Sequence, residues 1–282
     1  MAEIKKELRF TLPHLNLAGW SNGKEGKPVV LALHGWLDNA GSFEPLLPWL
    51  DDYHVFAVDF PGHGLSDHRS VDAHYHFVEW INDVAELIRV MGWDDVMLLG
   101  HSMGGMIASV VAAVLPEQIN RLVLLDAIGV ITTPQESACD QLRQAITSRR
   151  RIAKQSVSTH PTFDSALSAR VAAGDLSPTL VRLLLKRGLK EVADGFCWRS
   201  DPKLRSHSAM RFSFEQAKSF ITEIKCPVLL IEGQTGFKLS SKAHQLFVPL
   251  YPNLLVREIS GGHHCHMQFP EQVYKAMIED QR

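Results

Sequence analysis

The chain has 282 residues, 45% of them hydrophobic and 21% charged, with a formal net charge of -2. That is ordinary globular composition, long enough for one large α/β domain with an insertion or for two small domains. With no concentrated basic face, nucleic acid is excluded as the expected partner, and no apolar run reaches the ~18 residues that a membrane helix needs.

In chain order, Met1–Phe10 alternates charged and apolar side chains and lacks the apolar core of a secretory signal. Cys139, Cys197, Cys226 and Cys265 lie far apart with no CxxC pair, so they read as isolated reduced thiols of a cytoplasmic protein. Leu8–Leu12 and Leu15–Trp20 are expected to form an opening hairpin around Pro13-His14. Short apolar runs bounded by turn residues follow: Val29–Leu33, Val55–Val58, Val96–Leu99, Leu122–Leu125 and Val228–Ile231. Unbroken by polar alternation, they suit strands buried on both faces of a parallel sheet.

Helical patterns separate these runs. Phe77, Trp80, Ile81, Val84, Leu87 and Ile88 recur at three and four residues, as one apolar helix face requires. Met103–Leu115 is apolar nearly all round, as expected of a helix buried behind a sheet. The alternation predicts a doubly wound α/β fold with right-handed crossovers. It stops near Gly129 and resumes near Cys226. Between them Pro134, Pro161, Gly174, Pro178, Gly188 and Pro202 punctuate a helix-rich, strand-poor stretch far too long for a connecting loop. We therefore expect a core of residues 1–128 and 223–282, with a helical cap inserted at 129–222. The cap's basic run, Arg149-Arg150-Arg151 with Lys154, reads as a solvated face. Its Leu183, Leu184, Leu185, Phe196 and Trp198 would suit an apolar acyl or alkyl group of a small-molecule substrate; helices packing on the core would look the same.

Gly100-His101-Ser102-Met103-Gly104 is a G-x-S-x-G turn directly after one such strand and before an apolar helix. A sharp turn there exposes the serine, and the glycines avoid clashes with neighbouring backbone. The helix beyond it aims its positive end at the site, which favours a developing anion. Ser102 is thus the expected nucleophile.

That elbow accompanies His34-Gly35-Trp36-Leu37-Asp38-Asn39-Ala40, Asp59-Phe60-Pro61-Gly62-His63-Gly64-Leu65-Ser66, and Gly262-His263 before the last helix. Together they resemble the cap-bearing α/β-hydrolases, and the first loop with the elbow is most similar to the serine hydrolase-like proteins. The likeness covers nearly the whole chain except the cap. It implies a mostly parallel eight-stranded sheet and a triad in the order serine, acid, histidine. It also implies oxyanion donors at the backbone N–H groups of Trp36 and Met103, and a structural role for Asp59 in its turn.

By the same likeness the base directly follows a glycine and stands seven residues before a proline, which selects His263 over His264 and His266. The last two are then loop neighbours, and Asp38 and His101 are candidate substrate-pocket residues. The histidines lack the spacing of a helical or finger zinc site, so no metal is expected. No cofactor is expected either, since neither a GxGxxG after a strand nor a P-loop is present.

Most such relatives hold the acid in a G-x-x-D turn after the seventh strand, but here Gly233-Gln234-Thr235-Gly236 places a glycine at that point. Asp126 is the preferred substitute. It ends the run Leu122–Leu125 at the C-terminal sheet edge, where open α/β folds place their sites, and certain haloalkane dehalogenases of this fold hold their acid after the same strand. Its other reading is a cap on the following segment. Glu232 is the alternative acid, although a side chain within a strand can point away from the site. The expected reaction is hydrolysis of a carboxylic ester through an acyl-enzyme. Dehalogenation and epoxide opening need an aspartate at position 102. C–C bond, lactone or thioester cleavage and acyl transfer would use the same residues, and Gly236 leaves open a binding module with a decayed triad.

Overall fold

The computed structural model describes residues 5–156, 158–236 and 241–279. Residues 1–4 of the N-terminal stretch, and residues 237–240 and 280–282 of the expected core, lie outside the described residues. The opening hairpin is β1 (Lys6–Thr11) and β2 (Asn16–Ser21), antiparallel to each other. They join β3 (Val29–Leu33), β4 (His54–Val58), β5 (Val96–His101), β6 (Ile119–Leu125), β10 (Val228–Gly233) and β11 (Leu254–Ile259) in one eight-stranded sheet. Its order is β1-β2-β4-β3-β5-β6-β10-β11, parallel from β4 onward.

Alternate side chains of the central strands feed two separate cores, as the two-residue period of a strand demands. Leu31, Leu33, Leu98, Leu122, Leu124 and Leu230 face one layer; Val30, Ala32, Leu99, Val123, Leu125, Leu229 and Ile231 face the other. Both faces are covered, so the strand sequences are apolar throughout. The first layer holds α1 (Phe77–Met91) and α2 (Met103–Val114). Trp80, Val84, Leu87 and Ile88 form the buried stripe of α1, and Gly92 ends that helix in a left-handed conformation (φ 62°). Asp83 on the same stripe is buried against Arg69 (2.6 Å) and His14 (2.8 Å).

Between β6 and β10 lie α3 (Ala138–Ile152), α4 (Phe163–Ala172), α5 (Pro178–Gly188) and α6 (Phe214–Ile221). Among them is a small antiparallel sheet absent from the sequence expectation: β7 (Thr159–His160), β8 (Leu189–Val192) and β9 (Gly195–Trp198), in the order β7-β9-β8. Strands of two to four residues are too short to display a period. Leu184 and Leu185 are buried with Leu167, Val181 and Leu189 in a core that this segment shares with Met267, and Leu183, Phe196 and Trp198 pack against it. Arg150 and Arg151 on α3 are exposed. Helices α7 (Ser241–Phe247), α8 (Cys265–Gln268) and α9 (Pro270–Glu279) complete the chain. Among the described residues, no helix is long and apolar enough to cross a membrane.

Candidate active site

Ser102 leaves β5 with φ 51° and ψ -119°, and its amide donates to the Leu125 carbonyl of neighbouring β6 at 3.1 Å. A side chain at Gly104 would overlap the Leu33 carbonyl, so α2 packs this close to β3 only with glycine there. Among the described residues, the non-glycine residues with left-handed φ are Leu37 (64°), Ser102 (51°) and Asp126 (47°). Each such conformation costs about 1–3 kcal/mol and persists only where the surroundings impose it. All three stand at C-terminal ends of parallel strands: after β3, after β5 and after β6.

The register pairs Leu33 with Gly100, which sets the loop after β3 beside the elbow. A Cβ at Gly35 would lie 3.2 Å from Ser102 Cβ. His34 fixes this loop. Its Nε2 accepts from the Phe60 amide (2.9 Å) and its Nδ1–H donates to the Gly35 carbonyl (2.7 Å). Burial lowers its pKa to about 4, so the ring is neutral, as that donor–acceptor pattern requires. Among the described residues, the Trp36 and Met103 amides are not used in turn or loop hydrogen bonds between backbone groups. The Trp36 ring is 50% exposed, and its Nε1–H donates to the Leu204 carbonyl at 3.3 Å.

Asp126 follows β6 and is tied to β10 by its amide, which donates to the Ile231 carbonyl at 2.8 Å. Its Oδ2 accepts from His263 Nδ1 at 2.6 Å, and its Oδ1 from the Gly233 amide at 3.3 Å. Glu232 lies elsewhere: its Oε2 is 3.3 Å from His244 Nε2. A Cβ at Gly236 would lie 2.5 Å from Asp126 Oδ1 and 2.7 Å from its Oδ2. The Asp126 carboxylate therefore occupies the volume that a side chain at position 236 would need.

The sequence reading missed a second constellation, directly behind His263. His264 Nε2 is 3.0 Å from Asp38 Oδ2 and its Nδ1 is 2.5 Å from Asp175 Oδ1. Arg170 on α4 donates to Asp38 Oδ1 at 2.9 Å. Asp38 (3% exposed) and His101 (1% exposed) are thus buried behind the elbow, and His101 Nε2–H donates to the His263 carbonyl at 2.9 Å. Burial alone would depress the His264 pKa, but Asp38 and Asp175 outweigh it and raise it from 6.5 to about 9. Burial opposes ionisation of Asp38 too, yet His264 and then Arg170 hold its carboxyl below the usual range. His266 is the reverse case, pushed down to about 3 by burial and by His264. Asp38, His101 and His264 lie close enough to resemble a metal site. Here Arg170 and His264, whose cationic form is favoured, face the Asp38 and Asp175 carboxylates.

The sign of the His264 shift sets a stability window. With its folded pKa above the unfolded value, His264 contributes fully below pH 6.5 and loses that contribution as pH rises through about 9. The gap in urea midpoint between wild type and His264→Gln should therefore shrink across that range. A gap that stays constant from pH 6.5 to well above pH 9 would contradict it.

Known proteins share this fold. A family model described as alpha/beta hydrolase fold matches residues 28–270. A serine hydrolase-like protein of Danio rerio is 30% identical over 290 residues, covering 99% of this chain and 89% of that protein. The crystal structure of a hypothetical protein from Pseudomonas aeruginosa PAO1 superposes with a TM-score of 0.92 at 32% identity, covering 98% of this chain and 100% of that one. The 2-(acetamidomethylene)succinate hydrolase of Mesorhizobium japonicum is 26% identical over 260 residues, covering 90% of this chain and 88% of that protein.

Proposed function

Since the chain belongs to the α/β-hydrolase fold family and is a hydrolase, we propose that it cleaves a carboxylic ester of a small molecule through an acyl-enzyme on Ser102. His263 Nε2 takes the hydroxyl proton as Ser102 Oγ attacks the carbonyl carbon. Asp126 accepts from His263 Nδ1–H, holding the productive tautomer and balancing the imidazolium that forms. The Trp36 and Met103 amides receive the tetrahedral oxyanion, each contributing roughly 3 kcal/mol in the transition state. His263 then protonates the departing alkoxide, and a water activated by the same ring releases the acid.

One observation carries this reading: the Asp126 carboxylate on His263 Nδ1, in space that Gly236 leaves open. A decayed triad would have no reason to keep a strained aspartate against the histidine. Gly236 then belongs to a relocated acid rather than to a lost one. The half-exposed Trp36 ring beside the elbow suits an apolar acyl or alkyl group. The four cysteines, all free and three of them buried, suit a reducing cytoplasm.

A fluorophosphonate probe tests the proposal. The expected result is a covalent adduct on Ser102, located by peptide mass, and no adduct in Ser102→Ala. A folded wild type that takes no label would overturn it. Ester, thioester and lactone panels run on the labelled protein then rank the acyl chemistries that this machinery serves.

A further inference from the structure

We infer that His264 is a positioning residue for the Ser102 reaction: clasped between Asp38 and Asp175, it locks the His263 loop and the Trp36 loop onto the segment carrying α4 and α5. The inference rests on the Ser102 reading above and extends it to a residue that makes no contact with substrate in that mechanism.

The grip centres on the peptide unit joining His263 to His264. Its carbonyl accepts from His101 Nε2 at 2.9 Å, and its N–H donates to Asp175 Oδ2 at 3.0 Å. The plane from which the His263 side chain departs is therefore held from two directions. Asp175 also binds the His264 ring, while its own carbonyl accepts from Gln268 Nε2 at 2.8 Å. Gln268 Oε1 closes the loop by accepting from the Gly262 amide at 2.7 Å. On the other side, Asp38 stands two residues beyond Trp36, so a ring bonded to Asp38 Oδ2 fixes the loop that presents the Trp36 amide. Arg170 holds the second Asp38 oxygen in place.

The charges facing His264 come from every neighbouring element: Asp38 after β3, Asp175 between α4 and α5, Arg170 on α4, and the His101, His263 and His266 rings. A cation suits this place, since two carboxylates converge on the ring and His101 and His266 are held neutral. Removing Asp38 lets the ring turn, and removing Asp175 also frees the peptide unit before it. Catalytic groups tolerate little of this, because misplacement by ~1 Å costs on the order of 100-fold.

The test compares wild type, Asp175→Asn and Asp175→Glu on a p-nitrophenyl ester across pH, with fluorophosphonate labelling rates alongside. We expect Asp175→Asn to lower kcat roughly 10- to 100-fold with KM nearly unchanged. The alkaline limb of its kcat profile should move to lower pH, because one of the two carboxylates sustaining the His264 cation is gone. Asp175→Glu should recover part of both. A contact that served stability alone would lower Tm and leave the alkaline limb where it is. If Asp175→Asn fails to fold, His264→Gln is assayed below its melting temperature, where the same kcat loss is expected and the alkaline limb should vanish. Labelled wild type with unchanged kcat and pH limb in the folded variant overturns this inference alone. Unlabelled wild type overturns the Ser102 reading, and this inference with it.

Discussion

Asp126→Asn is expected to lower kcat on a p-nitrophenyl ester on the order of 10⁴-fold while Ser102 stays in place. The amide can present N–H instead of oxygen to His263 Nδ1, which favours the tautomer whose Nε2 cannot take a proton. Glu232→Gln should leave kcat near wild type, because that carboxylate faces His244. A more demanding pair of variants follows from the contact with Gly236. Gly236→Ala should itself reduce kcat, since its Cβ would lie 2.5 Å from Asp126 Oδ1 and force the carboxylate off the histidine. Asp126→Gly combined with Gly236→Asp moves the acid to the segment after β10. Glycine is at ease at the left-handed φ of position 126, and its missing side chain clears the space that the transplanted carboxylate needs. This double variant should regain on the order of 100-fold over Asp126→Gly alone. A collapse of kcat in Glu232→Gln with little change in Asp126→Asn would refute the assignment.

Arg187→Met should destabilise the protein by about 3–5 kcal/mol, because it strands a buried carboxylate. Arg187 on α5 is 3% exposed and Asp59 after β4 is fully buried. The guanidinium reaches Asp59 Oδ2 through Nη2 at 2.9 Å, and Nε lies 3.2 Å from both carboxylate oxygens. Asp59 spends its remaining capacity on the Ala40 amide (2.7 Å) and the Leu65 amide (2.8 Å), so its loop cannot swing outward to hydrate the charge. Urea unfolding followed by circular dichroism measures the loss. Asp59→Asn in the Arg187→Met background should recover part of it, since the neutral amide no longer needs a counter-ion. A change below ~1 kcal/mol would show that the pair is not what anchors α5 to the core.

How much of this was legible in the sequence depended on the range of each signal. The central strands announced themselves because both sheet faces are covered, so Val96–Leu99 and Leu122–Leu125 are apolar without interruption. Edge strand β11 lacks the signal, because Leu254–Ile259 is half-buried or exposed up to Ile259 and carries Arg257 and Glu258. The elbow was legible because its constraint is local: a strand, a tight turn and a helix within ten residues. That Asp126 meets His263 is expected from strand ends and from the likeness to the cap-bearing α/β-hydrolases, although 137 residues separate the two. Nothing comparable marked Asp175 or Arg170. Each is a charged residue of the expected cap with no motif around it, and their partners lie 89 and 132 residues away. The sequence also displays Gly236 as a missing carboxylate, whereas the filling of its side-chain volume by the Asp126 carboxylate is visible only in three dimensions.

The hydrogen bond from the Ser102 amide to the Leu125 carbonyl makes Ser102 and Asp126 products of one short stretch of sheet. Over generations a fold diversifies mainly through its loops, and a loop that supplies an acid is barred from most of that drift. Here the turn of residues 234–236 after β10 supplies no acid in the proposed mechanism, and what it provides is the room that Gly236 leaves for the Asp126 carboxylate.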